Sequence, residues 1–142
     1  MVLLNVSGVS KNGTDGEMVL DHVSFRQQPL QKLAIAGETG SGKTTLLKII
    51  AGLAQPDAGH VLFENARVAG PDEKLVPGHP HIAYLSQHFE LPKFLRVEQV
   101  LEYANNFVDD EAQTLFEICE ISHLLQRKTA DLSGGEAQRI AL

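Results

Sequence analysis

The sequence has few of the features that mark secreted or membrane-embedded proteins. Its single cysteine, Cys119, has no second cysteine for an internal disulfide, and its apolar neighbours predict a buried structural thiol. No stretch approaches the ~20 consecutive apolar residues that a membrane-spanning helix needs. The first residues, MVLLNVSGVSKN, lack the basic region and apolar core of a secretory signal. These absences predict a cytoplasmic protein.

Positive charge is also scarce. The 142 residues include 12 Lys and Arg against 18 Asp and Glu, which gives a formal net charge of −6. Nucleic acids and anionic membranes are bound through clustered basic side chains. We therefore expect no nucleic-acid partner, and any basic site must be local. The length allows one domain at most, which would bury about two-thirds of its unfolded surface.

A glycine-rich segment, GETGSGKTT at 37–45, carries the strongest functional signal. Its spacing matches G-x-x-x-x-G-K-[ST], the phosphate-binding loop of nucleotide triphosphatases. Glycines let consecutive backbone N–H groups wrap around a phosphate. Lys43 can reach the β- and γ-phosphates, and Thr44 can offer its hydroxyl to Mg²⁺. The predicted nucleotide-binding residues are Gly37, Glu38, Thr39, Gly40, Ser41, Gly42, Lys43, Thr44 and Thr45.

The flanking residues have the character that such a loop requires. Lys32–Ala36 (KLAIA) predicts a buried strand before the loop, and Thr45–Ala51 (TLLKIIA) predicts a helix after it, with Gly52 at the helix C-terminus. The remaining short apolar runs predict strands at Leu3–Val6, Val19–Phe25, His60–Glu64 and His81–Leu85. The first two of these, separated by the polar turn Lys11–Glu17, are expected to form an antiparallel flank. From Arg96 onward, VEQVLEYANNF and DEAQTLFEICEISHLL predict amphipathic helices.

A second motif, LSGGEAQR, spans Leu132–Arg139. Its local interpretation is a helix capping box, with Ser133 at the N-cap and Glu136 three residues later. Read together with the phosphate loop, it resembles the ATP-binding-cassette ATPases, whose signature begins LSGGQ. The order of phosphate loop, Gln87 after HIAYLS, helical segment and signature matches that family over essentially the whole chain. Glu136 stands where the family more commonly has Gln.

The resemblance implies an α/β P-loop NTPase fold with an N-terminal antiparallel flank and an α-helical subdomain. The expected parts are a nucleotide-binding core over 1–88, a helical subdomain over 89–131, and the signature with the start of its helix over 132–142. The C-terminal part of the domain is expected to be missing.

The resemblance also implies ATP and Mg²⁺ as cofactors. Lys43 and Gln87 would be catalytic, and Thr44 and Gln87 would contact Mg²⁺ at the nucleotide. The signature residues that would act on the nucleotide of a second cassette, in a head-to-tail dimer, are Ser133, Gly134, Gly135 and Glu136. Membrane-spanning subunits would be the other partners, so that ATP hydrolysis at the inner face of the cell membrane would power transport. Phe89, Leu91, Phe94 and Leu95 are candidates for contact with a partner or, equally, for packing within the helical subdomain.

The sequence departs from the family pattern at two places. Lys11–Glu17 contains no aromatic residue to stack on adenine, which predicts ATP binding with relaxed purine selectivity. No apolar strand runs into Asp-Glu after the signature, so we expect a polypeptide of these 142 residues alone to bind nucleotide poorly and to hydrolyse it negligibly, as a fragment of a longer protein. The alternatives are a soluble cassette ATPase of cofactor assembly or translation, and a degenerate cassette that serves as a scaffold.

Overall fold

The computed structural model describes residues 2–86, 91–105 and 109–142. The chain divides into two compact units, Met1–Tyr84 and Leu85–Leu142. In the described ranges, no helix combines the length and the apolar character that crossing a membrane demands.

The first unit contains a four-stranded antiparallel sheet. Its strands are β1 (Leu4–Asn12), β2 (Met18–Gln27), β3 (Ala58–Phe63) and β4 (Ala66–Arg67), in the order β2-β1-β3-β4. In the register of the central strand, Val6 lies opposite Phe25 of β2 and Val61 of β3. The predicted antiparallel flank and the strand near His60 are therefore confirmed, although β1 continues to Asn12, inside the segment that the sequence predicts as a turn.

The first helix, α1 (Lys43–Ile50), packs on this sheet. Its buried residues Leu46, Ile49 and Ile50 belong to the same core cluster as Val6 and other apolar residues of the strands. The helix ends as predicted: Gly52 has a φ of 73°, in the left-handed region that glycine adopts at no steric cost, and the Leu53 N–H donates to the Lys48 carbonyl at 2.8 Å.

Two predicted strands are wrong. Lys32–Ala36 and His81–Leu85 form no ladder with another strand, and within Lys32–Ala36 only Ile35 is even partly buried. An apolar run becomes a strand only when a neighbouring strand pairs with its backbone N–H and C=O groups. The four-stranded sheet of the described residues pairs with neither run, so both remain irregular.

The second unit consists of short helices. They are α2 (Val97–Ala104), α3 (Asp109–Ile118) and α4 (Gly134–Ala141), with 3₁₀ turns at Ser122–Leu124 and Thr129–Asp131. Their small core contains Val97, Ile121, Leu124 and Ile140, with Cys119 packed against it as a half-buried thiol. The predicted amphipathic helices are confirmed in type.

The second predicted helix is shorter than its apolar pattern indicates. It ends at Ile118, because Glu120 adopts a left-handed φ of 55° and the Ile121 N–H donates back to the Phe116 carbonyl at 2.9 Å. This turn redirects the chain so that Ile121 is only 3% exposed. The residues after it form a 3₁₀ turn instead of continuing α3.

Candidate nucleotide-binding site

The phosphate loop is fixed to the sheet through its last glycine. Gly42 has a φ of 83°, and a Cβ atom added there would lie 2.7 Å from the Val19 carbonyl oxygen and 2.8 Å from Leu20 Cδ2. Only glycine fits this contact, because any side chain would collide with β2 and strain the backbone. The sheet therefore determines where the loop meets helix α1.

The Lys43 ammonium is folded back over the loop. Its Nζ donates to the carbonyl oxygens of Gly37 at 2.8 Å and Glu38 at 2.5 Å, and lies 3.3 Å from Ser41 Oγ. All three acceptors are oxygens, as are the non-bridging atoms of a phosphate. The lysine charge is thus held at the mouth of the loop, where a phosphate would lie.

The helix behind the loop presents its positive end there. Gly42 is the N-cap of α1, it makes no side-chain cap hydrogen bond, and the first turn contains no acidic residue. The first backbone N–H groups of a helix have no partner within the helix and bind anions well. Thr44, in the same turn, is exposed. Loop, lysine and helix end together fit a polyphosphate, and the Thr44 hydroxyl fits a Mg²⁺ ligand at its edge.

The signature segment caps a helix through both of the hydrogen bonds that the sequence predicts. Ser133 is the N-cap of α4, its Oγ accepts from the Glu136 N–H at 3.3 Å, and Glu136 Oε2 accepts from the Ser133 N–H at 2.7 Å. The hydrogen bond from the Ser133 backbone N–H is the main cause that holds the pKa of the Glu136 carboxyl below its ordinary value. The capping-box interpretation is therefore confirmed as local geometry.

The two signature glycines differ from Gly42 in what surrounds them. A Cβ atom added to Gly134 or Gly135 would meet nothing within 4 Å, and neither residue has a left-handed φ. Glycine in a helix is less stable than alanine by up to about 1 kcal/mol. Nothing within the described part of the chain needs glycine at these positions. The open space beside them is therefore available to another molecule.

The other predicted site residues have different outcomes. Gln87 and Phe89 lie outside the described residues. Of the three other apolar candidates for a partner surface, Phe94 is 95% exposed, whereas Leu91 and Leu95 are partly buried.

One residue near the signature, Arg127, was not predicted from the sequence. Arg127 donates to Glu136 Oε1 at 3.0 Å and to the Asp131 carbonyl at 2.6 Å. The sequence carried no local signal for this contact, because an acid in the first turn of a helix is already stabilised by the helix dipole and Arg127 lies nine residues before Glu136.

Comparison with known proteins agrees with this geometry. The family model described as ABC transporter matches residues 20–142. The chain belongs to this family. This match confirms the predicted family. Members of the family are ATP-hydrolysing enzymes.

Individual members of the ABC family show the same likeness. The chain is 32% identical over 148 residues to the molybdate/tungstate import ATP-binding protein WtpC of Pyrococcus abyssi, covering 99% of the chain and 41% of that protein. It is 34% identical over 154 residues to the lipoprotein-releasing system ATP-binding protein LolD of Acinetobacter baylyi, covering 99% of the chain and 68% of that protein.

A solved structure supports the fold. An ATP binding subunit of an ABC transporter superimposes with a TM-score of 0.78 at 26% sequence identity, covering 98% of the chain and 59% of that structure. The predicted α/β P-loop NTPase fold is thereby confirmed. The chain spans between about two-fifths and two-thirds of the length of these three proteins.

Proposed function

We propose that this chain is the ATP-binding part of an ABC transporter, which couples the binding and hydrolysis of ATP to transport through separate membrane-spanning subunits. The observation that carries the proposal is the Lys43 ammonium, held over a glycine loop at the uncapped N-terminus of α1. A charged donor and a row of backbone N–H groups that converge on one place are what a triphosphate requires.

Each part of the loop has a role in this proposal. The backbone N–H groups hold the phosphates, and Lys43 exchanges its contacts with the Gly37 and Glu38 carbonyls for the β- and γ-phosphate oxygens. Thr44 offers its exposed hydroxyl to Mg²⁺, which supplies charge neutralisation at those phosphates. Gln87 is proposed to contact Mg²⁺ or the attacking water.

A second cassette is proposed to complete the site. Gly134 and Gly135 leave the N-terminus of α4 open, so the γ-phosphate held by a partner cassette can approach their N–H groups. This assigns Ser133, Gly134, Gly135 and Glu136 to the nucleotide of the other subunit in a head-to-tail dimer. The exposed ring of Phe94 is a proposed contact for a membrane-spanning subunit. The proposed location of the chain is the cytoplasmic face of the membrane.

Cargo selection is assigned to the spanning subunits. Relatives of nearly equal identity, 32% and 34%, are named for molybdate/tungstate import and for lipoprotein release. The sequence identity of these two relatives to the chain therefore indicates neither the cargo nor the direction of transport.

The proposal is tested by titrating the full-length protein with Mg²⁺ and ATP. We expect Lys43→Ala to weaken ATP binding about tenfold or more, since charge-assisted hydrogen bonds are lost. Lys48→Ala is the matched control, because Lys48 is exposed at the other end of the same helix. Binding that does not change in Lys43→Ala, or that falls equally in both variants, would contradict the proposed site. Competition with GTP tests the base: GTP binding equal to or tighter than ATP would overturn the choice of ATP.

A further inference from the structure

One guanidinium group joins the signature helix to the turn before it. Arg127 donates through Nη1 to Glu136 Oε1 at 3.0 Å and through Nη2 to the Asp131 carbonyl oxygen at 2.6 Å. The backbone of Arg127 is itself anchored, because its carbonyl accepts from the Val97 N–H at the start of α2 at 3.0 Å. Its side chain therefore bridges the 3₁₀ turn at Thr129–Asp131 and the first turn of α4.

Glu136 presents an electrostatic problem for a site that must accept phosphate. It lies in the first turn of α4, its side chain is 19% exposed, and its pKa is lowered, chiefly by the hydrogen bond from the Ser133 backbone. The carboxylate is therefore ionised at neutral pH. An uncompensated negative charge at that helix end would repel a γ-phosphate and compete for the N–H groups that should bind it. Among the described residues, the cations that act on Glu136 are Arg127, at hydrogen-bond distance, and Arg139.

We infer that Arg127 is a positioning residue for the composite nucleotide site. Its guanidinium neutralises Glu136 and keeps the carboxylate turned back onto the Ser133 N–H, which leaves the N–H groups of Gly134 and Gly135 to the γ-phosphate of the partner cassette. This inference rests on the proposed function, since it concerns how the signature end receives that nucleotide.

A purely scaffolding role for Arg127 makes a different prediction. The contact with the Asp131 carbonyl would then dominate, and loss of the side chain would disturb the turn whatever residue stands at 136. If charge compensation dominates, the loss should matter much less once the carboxylate is replaced by a neutral amide. Glu136→Gln keeps the shape and an acceptor oxygen for the Ser133 N–H, so the two roles can be separated.

The experiment is a four-variant cycle in the full-length protein: wild type, Arg127→Ala, Glu136→Gln and the double variant. The measurements are ATP-dependent pairing of subunits by sedimentation velocity and the rate of ATP hydrolysis. We expect Arg127→Ala to weaken pairing about two- to fivefold, as for loss of an exposed ion pair, and the deficit to shrink as salt is raised. In the Glu136→Gln background, Arg127→Ala should cause less than half of this loss of pairing. If Arg127→Ala does not fold, as judged by thermal unfolding, Arg127→Gln replaces it, because it keeps a donor for the Asp131 carbonyl and removes the charge.

Three results would overturn the inference: no deficit in Arg127→Ala, an equal deficit in both backgrounds, or a deficit that salt does not change. ATP binding to wild type and to Lys43→Ala tests the proposed function separately. If wild type fails to bind ATP through Lys43, the proposed function fails. If wild type binds ATP but its subunits do not pair, the proposed composite site is wrong, and the role inferred for Arg127 is wrong as well.

Discussion

Replacing Gly134 with alanine should make the protein more stable but weaken its ATP-dependent pairing. Gly134 is the first residue of α4, has no left-handed φ, and would place an added Cβ atom in open space, with nothing within 4 Å. Alanine at such a position reduces the conformational freedom of the unfolded chain and favours the helix. We expect the free energy of unfolding to rise by about 0.4–1 kcal/mol.

Gly42→Ala is the matched opposite. Gly42 also stands at the start of a helix, but its φ is 83° and its Cβ would lie 2.7 Å from the Val19 carbonyl oxygen and 2.8 Å from Leu20 Cδ2. The added methyl group must strain the backbone or push the loop off β2. We expect this substitution to lower the free energy of unfolding by about 1–3 kcal/mol.

The functional effect of Gly134→Ala should have the opposite sign to its effect on stability. The methyl group would occupy the space through which a partner's γ-phosphate is proposed to approach the helix end, so ATP-dependent pairing should weaken. Urea unfolding and sedimentation velocity with ATP, on the same full-length preparations, measure the two quantities. The reasoning is refuted if Gly134→Ala lowers stability by more than about 0.5 kcal/mol, or if pairing stays at the wild-type level.

Two further substitutions test the framework around the site. Thr129→Val should lower the free energy of unfolding by about 1–2 kcal/mol in urea titrations, because the buried Thr129 Oγ1 donates to the Pro92 carbonyl at 2.5 Å and lies 3.2 Å from that of Leu95; an unchanged midpoint would contradict this. Asp57→Asn should flatten the dependence of stability on pH below about pH 4. Hydrogen bonds from Lys11 and then from the Asn12 backbone lower the pKa of Asp57 from its usual 3.8, so its contribution is present above that value and is lost as the pH falls through the lowered pKa; parallel pH profiles of wild type and variant would refute the assignment.

Structure could be predicted from the sequence where a short segment determines its own geometry. The loop at 37–45 and the capping box at Ser133 depend on glycine, lysine and cap chemistry within a few residues, and the structure reproduces both. Lys32–Ala36 failed because a strand depends on neighbours that its own residues do not specify. The predicted end of α3 was wrong for a related reason. The apolar spacing continues past Glu120, but Ile121 reaches the core only because the chain makes a left-handed turn at Glu120. Tertiary packing overrode local periodicity in that case.

The capping box is compatible with the phosphate-binding role that we propose for the signature. In the box, the Glu136 carboxylate folds back onto the Ser133 N–H and is held there by Arg127. The box uses the N–H groups of Ser133 and Glu136, so the N–H groups of Gly134 and Gly135 between them take no part in it. At the phosphate site that we propose, the cap and the neighbouring cation together reduce the repulsion that the Glu136 carboxylate would otherwise cause. The contact with Arg127, nine residues away in sequence, is the part of the signature that a local motif cannot contain.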